Sequence, residues 1–285
     1  MQRYKCEECG KQFQSSRRPT HTIKKLWHEW AFEHATTHVL ATRYGKSENW
    51  VRARLDQYEL PIHILTPRNV VLIIDASKIG LSWIIVARDP HSKENVYIQE
   101  ISWESTSNYQ EAIRYLKEGG FTITAIVGDG RVAVPWLFKS IPTQMCHFHQ
   151  LQIVIRYLTR NPKLPASIEL LAIAKTLATT DKDSFTDAFN LWSRQWDSFL
   201  KERSEDPETG KKRYTHRRLR SARDSIRQHL PHLFVFTDYP ELRISNTTNS
   251  LDGSFTAIKK AIGIHAGLSH QRKLKLVRSL LLGFV

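Results

Sequence analysis

Three carboxylates in this 285-residue chain stand in contexts that suit one chemistry. Asp75 closes the apolar run Val70-Val71-Leu72-Ile73-Ile74. Asp129 closes a second, Ile123 to Gly128. Asp252 lies far downstream, within Asn246-Thr247-Thr248-Asn249-Ser250-Leu251-Asp252-Gly253. A carboxylate at the end of a buried strand is placed to hold a divalent metal at a sheet edge. Two such strands and a third acid make the ligand set of a two-metal phosphoryl-transfer site. Hard oxygen donors select Mg²⁺ or Mn²⁺.

The elements that must position these acids are legible from periodicity. Residues 70–75 are apolar throughout, as a central strand is. Segments 82–88 and 96–101 read as the next two strands, joined by a polar turn. Residues 107–118 form an amphipathic helix with Tyr109, Ala112, Ile113 and Leu116 on one face, ended by Gly119 and Gly120. Segment 121–128 is a fourth strand leading to Asp129. Residues 131–160 read as short helices, with Cys146-His147-Phe148-His149 in the middle. Helical signal resumes over 165–235, with 203–216 a polar loop, and again from 246 to the end.

The N-terminal part has a different character. Cys6-Glu7-Glu8-Cys9-Gly10 has the form of a zinc-knuckle turn, which makes Cys6 and Cys9 candidate zinc ligands. His21, His28, His34 and His38 follow at spacings unlike an ordinary finger. Either a histidine completes the set or half of a zinc ribbon is missing. Over 37–55, Ala41 is small where two helices would cross, Gly45 permits a left-handed turn, and Ser47 can cap the next helix. Val51 and Leu55 then face inward, with Glu48, Asn49, Arg52 and Arg54 outward. That is the layout of a helix-turn-helix, whose second helix reads the major groove. Pro61 and Pro67 mark a linker.

Charge agrees with a polyanionic partner. The formal net charge is +14, and residues 211–227 concentrate Lys211, Lys212, Arg213, Arg217, Arg218, Arg220, Arg223 and Arg227 around one acid, Asp224. Lys46 and Lys259–Lys260 add cations near the helix-turn-helix and the third acid. Trp192 and Trp196 belong to a helical core, with base stacking the alternative. Three cysteines, Cys6, Cys9 and Cys146, argue against a secreted disulfide framework and for a reducing cytoplasmic compartment. No apolar run approaches the ~18 residues of a membrane helix.

Asp75, Asp129, Cys146-x-x-His149 and Thr248-Asn249-x-x-Asp252 together resemble the DDE transposases of the mutator-like superfamily, including bacterial insertion-sequence enzymes. The resemblance implies an α/β fold with a ribonuclease-H-like mixed sheet. It assigns 1–20 to a zinc-knuckle remnant and 21–60 to the helix-turn-helix domain. The catalytic core then spans 68–160 and 241–285, interrupted by a helical insertion over 161–240. It implies Asp75, Asp129 and Asp252 as the catalytic, Mg²⁺-binding residues, and DNA transposition and recombination as the activity. Cys146 and His149 would bind zinc or serve a structural role. Lys46, Asn49, Arg52, Arg54, Lys259 and Lys260 would contact DNA. The implied partners are double-stranded terminal inverted repeats and target DNA, with a homo-oligomer assembled on DNA at the bacterial nucleoid and no membrane. The family's third acid is usually glutamate, one methylene longer than Asp252. Two other readings of the residues are a transposase-derived regulator without catalysis and a ribonuclease-H-like nuclease without strand transfer.

Overall fold

Burial along Asn69–Ile79 does not alternate. Val70 to Asp75 are all buried, so this strand must be covered on both faces. In the computed structural model it is the middle strand of a five-stranded mixed sheet. The structure describes residues 3–14, 19–132, 138–205, 208–265 and 267–283, with the backbone alone at 3, 13–14 and 19–21. The chain forms two compact units, one of residues 65–255 and one of 1–64 with 256–285.

The N-terminal hairpin pairs β1 (Arg3–Lys5) with β2 (Gln12–Gln14). Three helices follow, α1 (Pro19–Ala31), α2 (Thr37–Tyr44) and α3 (Glu48–Gln57). The turn between α2 and α3 depends on Gly45, whose φ of 62° closes α2 in the left-handed conformation. Ser47 then caps α3 by accepting from the Trp50 amide. Leu40, Val51 and Leu55 are fully buried with Trp27 and Trp30.

In the second unit the sheet is built from β3 (Asn69–Ile79), β4 (Ser82–Asp89), β5 (Glu94–Ile101), β6 (Thr122–Gly128) and β7 (Thr143–Met145). Helix α4 (Thr106–Glu118) joins β5 to β6. The order is β5-β4-β3-β6-β7. β3, β4 and β5 are successive antiparallel neighbours, whereas β6 and β7 run parallel to β3. This is compatible with the expected ribonuclease-H-like core. Tyr109, Ala112, Ile113 and Leu116 of α4 pack on the sheet beside Leu72, Ile74 and Ile126.

Two local expectations change here. Residues 143–145, expected within a run of short helices, form the fifth strand; residues 133–137 of that run lie outside the described residues. The expected loop at 203–216 contains a small hairpin, β8 (Arg203–Glu205) with β9 (Lys212–Tyr214). Around it lie α5 (His147–Leu158), α6 (Pro165–Lys175), α7 (Lys182–Gln195), α8 (Asp197–Lys201), α9 (Arg217–Leu233) and α10 (Val235–Asp238). Their shared core includes Phe185, Phe189, Trp192 and Phe234. Trp192 donates to the Ala166 carbonyl at 3.0 Å and Trp196 to Glu169 at 2.7 Å, so both serve packing.

Helix α11 (Asn249–Ile264) begins in the second unit and ends in the first; α12 (His270–Leu282) lies in the first. Within that unit α12 is tied to the N-terminal helices. Trp27 donates to the Ser279 hydroxyl at 2.9 Å, and Lys275 Nζ donates to the Asp56 and Tyr58 carbonyls at 2.8 and 2.7 Å. Residues 241–285 are thus divided between the units after Phe255. Among the described residues, no helix is long and apolar enough to cross a membrane.

Candidate active site

β3 and β6 run side by side, and their pairing ends with Ile73 opposite Val127. Asp75 stands two residues further along β3, and Asp129 is the residue just after the end of β6. Contrary to expectation, Asp75 does not end its strand: β3 runs on to Ile79 because β4 stays paired with it, Asp75 opposite Val86. The carboxylate stands where β6 stops, at the edge left open by the shorter neighbour. β7 ends at the same edge, where the Cys146 amide donates to the Gly128 carbonyl at 2.8 Å. Helix α5 starts there and carries His149 in its first turn.

Asp75, His149 and Asp252 meet at this edge. Each offers a ligand atom within 4.8 Å of the other two, from a strand and two helices far apart in sequence. Asp75 is 7% exposed. Burial pushes its carboxyl up to about 7, His149 opposes that rise, and the charges of Asp252 and Asp129 add to it. Burial pulls the His149 imidazole down, yet the Cys146 sulfur and the two carboxylates outweigh it and raise the group to about 9. Burial raises the Cys146 thiol, but the His149 interactions hold it below the usual range. Without a metal, the imidazolium is therefore the counter-charge to both carboxylates.

Asp129 stands apart from this trio. Gly128 lets its loop fold tightly, since a side chain there would meet Val132 at 2.5 Å. Asp129 Oδ1 accepts from the Arg131 amide at 2.8 Å, which turns the carboxylate onto its own loop. The ion pair of Arg131 with Glu104, at 3.4 Å, brings a further acid close to Asp129. Glu104 is pushed up by burial and also accepts from the Tyr109 hydroxyl at 2.7 Å.

Of the residues that hold the trio in place, only Arg88 carries no signal in the sequence. Thr248 donates its hydroxyl to Asp252 Oδ2 at 3.1 Å and accepts from His149 Nδ1 at 3.4 Å. Its amide donates to Cys146 Sγ at 3.4 Å. Cys146 therefore anchors the start of α11, while His149, expected to bind zinc or serve a structural role, belongs to the site. The Asn246 carbonyl accepts from the His147 amide at 2.9 Å, a second tie between the same segments. Arg88, from β4, donates to the Ser250 carbonyl at 2.6 Å and the Ser254 hydroxyl at 2.9 Å, bracketing the turn that carries Asp252. Thr248 belongs to the Thr-Asn-x-x-Asp motif; a lone arginine inside a strand gives no signal.

The other expected ligands and contacts are more scattered. Cys6 and Cys9 flank the β1–β2 turn, where the Cys9 and Glu8 amides and the Cys9 thiol hold the Cys6 thiol below its usual range. Among the described residues, no third histidine, cysteine or acid joins them within metal-binding reach; the side chain of His21 lies outside those described. Lys46, Asn49 and Arg52 are exposed. Arg52 is paired with Glu48 at 2.7 Å, and Arg54 lies over the Trp50 ring at 5.4 Å. Lys259 and Lys260 are exposed on α11, two turns beyond Asp252. The basic run 211–227 is not one open face. Arg223 is buried and paired with Asp224 at 2.7 Å. Arg220 donates to the Leu200 carbonyl and lies 3.6 Å from the Tyr214 ring centroid. Arg217, Arg218 and Arg227 remain exposed.

No family model and no curated protein matches this chain. Among solved structures, it is similar to a chain from the simian T-cell lymphotropic virus intasome in complex with the PP2A regulatory subunit B56 gamma. The similarity covers 55% of this chain and 69% of that chain, at 15% identity and a TM-score of 0.25. A likeness of that size carries no functional weight, which leaves the geometry of this chain's own residues to decide.

Proposed function

We propose that this protein is a divalent-metal-dependent phosphoryl-transfer enzyme acting on DNA, and specifically a transposase that cleaves its element's ends and joins them to a target. The observation that carries this reading is the convergence of Asp75, His149 and Asp252 within 4.8 Å, on the edge where Asp129 also stands. The donor chemistry fits a divalent cation. Two carboxylates are forced together, and burial makes the ionised form of one of them costly unless a cation is beside it. Asp75 and Asp252 would hold the ion, with His149 as a nitrogen donor and Asp129 as the further carboxylate of the edge. The carboxylates of the set suit Mg²⁺ or Mn²⁺. When bound, the cation would supply charge neutralisation for the attacking and leaving oxygens of a phosphodiester.

The chain's own residues do the rest. Thr248 and Arg88 fix the turn bearing Asp252. His149 carries its proton opposite the two acids, and it would have to give that proton up to serve as a nitrogen ligand. The exposed cations of α9 in one unit, and those of α3 and α11 in the other, are suited to contact DNA phosphates. Two DNA ends held together would call for more than one copy, as the resemblance to transposases implies.

The test uses labelled duplex from the flanks of the chain's own gene, with Mn²⁺ or Mg²⁺. Nicking that is lost in Asp75→Asn supports phosphoryl transfer, and joining of the 3′-hydroxyl product to a second duplex supports transposition. Wild-type binding without nicking under either metal overturns the enzymatic reading.

A further inference from the structure

A cavity of about 630 Å³ opens beside the carboxylates, between the Asp129–Arg131 loop, α5 and α9. Asp129 and His149 are part of its lining, so it adjoins the candidate site. Its volume is that of a small-ligand pocket, far too small for a duplex. Its chemistry is mixed. Arg131 and Arg156 present two guanidinium groups, the donors best matched to phosphate. The exposed Arg156 guanidinium lies 5.7 Å from the ring centroid of the half-buried Tyr157. Gln152 and Gln228 each offer both a donor and an acceptor. His229 donates from Nδ1 to Gln150 Oε1 at 2.7 Å, which leaves its Nε2 as an acceptor at the same wall.

This cavity does not stand alone. A second, of about 900 Å³, shares Tyr157 and is lined by Lys163, Arg217 and Arg218. The two are linked through Arg218, which donates to the Arg156 carbonyl at 2.6 Å. A mononucleotide site would have no use for cations beyond its own phosphate, whereas a polynucleotide carries its next phosphates onward. Arg131 is 54% exposed although its Nε pairs with the largely buried Glu104, so its guanidinium remains accessible at the cavity.

We propose that the cavity between α5 and α9 binds one unpaired nucleotide of the DNA strand under attack. The phosphate sits on Arg131 and Arg156, the base lies against Tyr157, and its edge meets Gln152 and Gln228. The strand continues past Tyr157 toward Lys163, Arg217 and Arg218. A base that remains stacked and paired cannot enter a pocket of this size, so the ligand must be unpaired. The inference rests on the DNA-processing reading above and narrows its substrate to a duplex with locally single-stranded character.

The experiment compares the full chain's affinity for a labelled blunt duplex and for the same duplex with a three-nucleotide single-stranded tail, by fluorescence anisotropy in EDTA. Wild type should favour the tailed duplex about tenfold, the value of one stacked base. Arg156→Ala and Gln228→Glu, both at exposed positions, should each bring that ratio close to one. Arg114→Ala, on the far exposed face of α4, should keep it. Circular dichroism melts confirm that the variants fold. A wild-type ratio near one overturns the proposal, as does a ratio that survives both cavity substitutions. The measurement needs no metal and no turnover. If nicking is absent and the ratio holds, the cavity stands and the catalytic reading falls; if nicking is present and the ratio is one, the reverse is true.

Discussion

The Thr248 hydroxyl donates to Asp252 at 3.1 Å, while the Thr248 amide donates to the sulfur of Cys146 at 3.4 Å. One buried threonine thus carries the end of β7 to the third acid. Thr248→Val keeps the shape and removes the hydroxyl. It leaves Asp252 without this donor, so metal-dependent nicking should fall about 10- to 100-fold. The fold should lose about 1–3 kcal/mol. Thr248→Ser should restore most of the rate. Nicking rates and urea midpoints measure both, and a valine variant as fast as wild type removes Thr248 from the support of the site.

Asp75 makes stability depend on pH. Burial raises its carboxyl to about 7 in the folded chain, against about 3.9 for an unfolded aspartate. The folded state therefore binds the proton more tightly. The resulting stabilisation is complete below pH about 4 and is lost as pH rises through about 7. Asp75→Asn cannot ionise. In EDTA at pH 8 it should unfold at a higher temperature than wild type, by up to about 4 kcal/mol in stability, and the gap should close toward pH 5. Mn²⁺ should stabilise wild type at pH 8 and leave Asp75→Asn nearly unmoved. A wild type indifferent to Mn²⁺ would count against a metal at this edge.

Much of the fold is legible in the sequence, and the exceptions have physical causes. β3, β6 and the inner face of α4 declare themselves because burial imposes long apolar or periodic runs. β7 has only three residues, too few for any period, yet it sets where α5 begins and so brings His149 to the site. Arg88 is silent because its partners, Ser250 and Ser254, lie far along the chain, and pattern reading sees only near neighbours. The same limit hides the role of α12, whose Lys275 caps the carbonyl end of α3. The run of basic residues is visible, but not that Arg220 and Arg223 turn inward.

Arg68 ties the start of β3 to the β4–β5 turn. Its guanidinium donates to Asp89 at 2.9 Å and to Glu94 at 2.8 Å. Burial pushes Asp89 up, but the Arg68 and Ser92 hydrogen bonds and the His91 and Ser92 amides outweigh it and hold the group below the usual carboxylate range. Asp89 therefore contributes stability above its unfolded pKa, and that contribution is lost as pH falls through the lowered folded value. Arg68→Ala strands a buried acid. It should cost about 1–3 kcal/mol at pH 7 and less at pH 3, where Asp89 takes up its proton. Denaturant titrations at the two pH values measure the difference, and an equal loss at both would refute the ion-pair account.

The last prediction separates recognition from attraction on α3. Asn49 is exposed at the start of that helix and its side chain accepts from Arg52 at 3.2 Å, while Lys46 lies just before the helix and is exposed. If α3 enters the major groove, an amide at this position meets base edges, and a lysine before the first turn meets phosphate. Asn49→Ala should then cost about 1–3 kcal/mol on the preferred duplex and little on random sequence. Lys46→Ala should weaken both alike and lower the slope of log affinity against log salt by about 1. Arg52 must leave Glu48 before it can reach DNA, so Glu48→Gln should tighten binding to both duplexes by freeing that guanidinium and removing a negative charge. Filter binding across a salt series reads all three variants. If Asn49→Ala and Lys46→Ala lose affinity in the same pattern, α3 contacts only the backbone, and sequence reading must lie elsewhere in the chain.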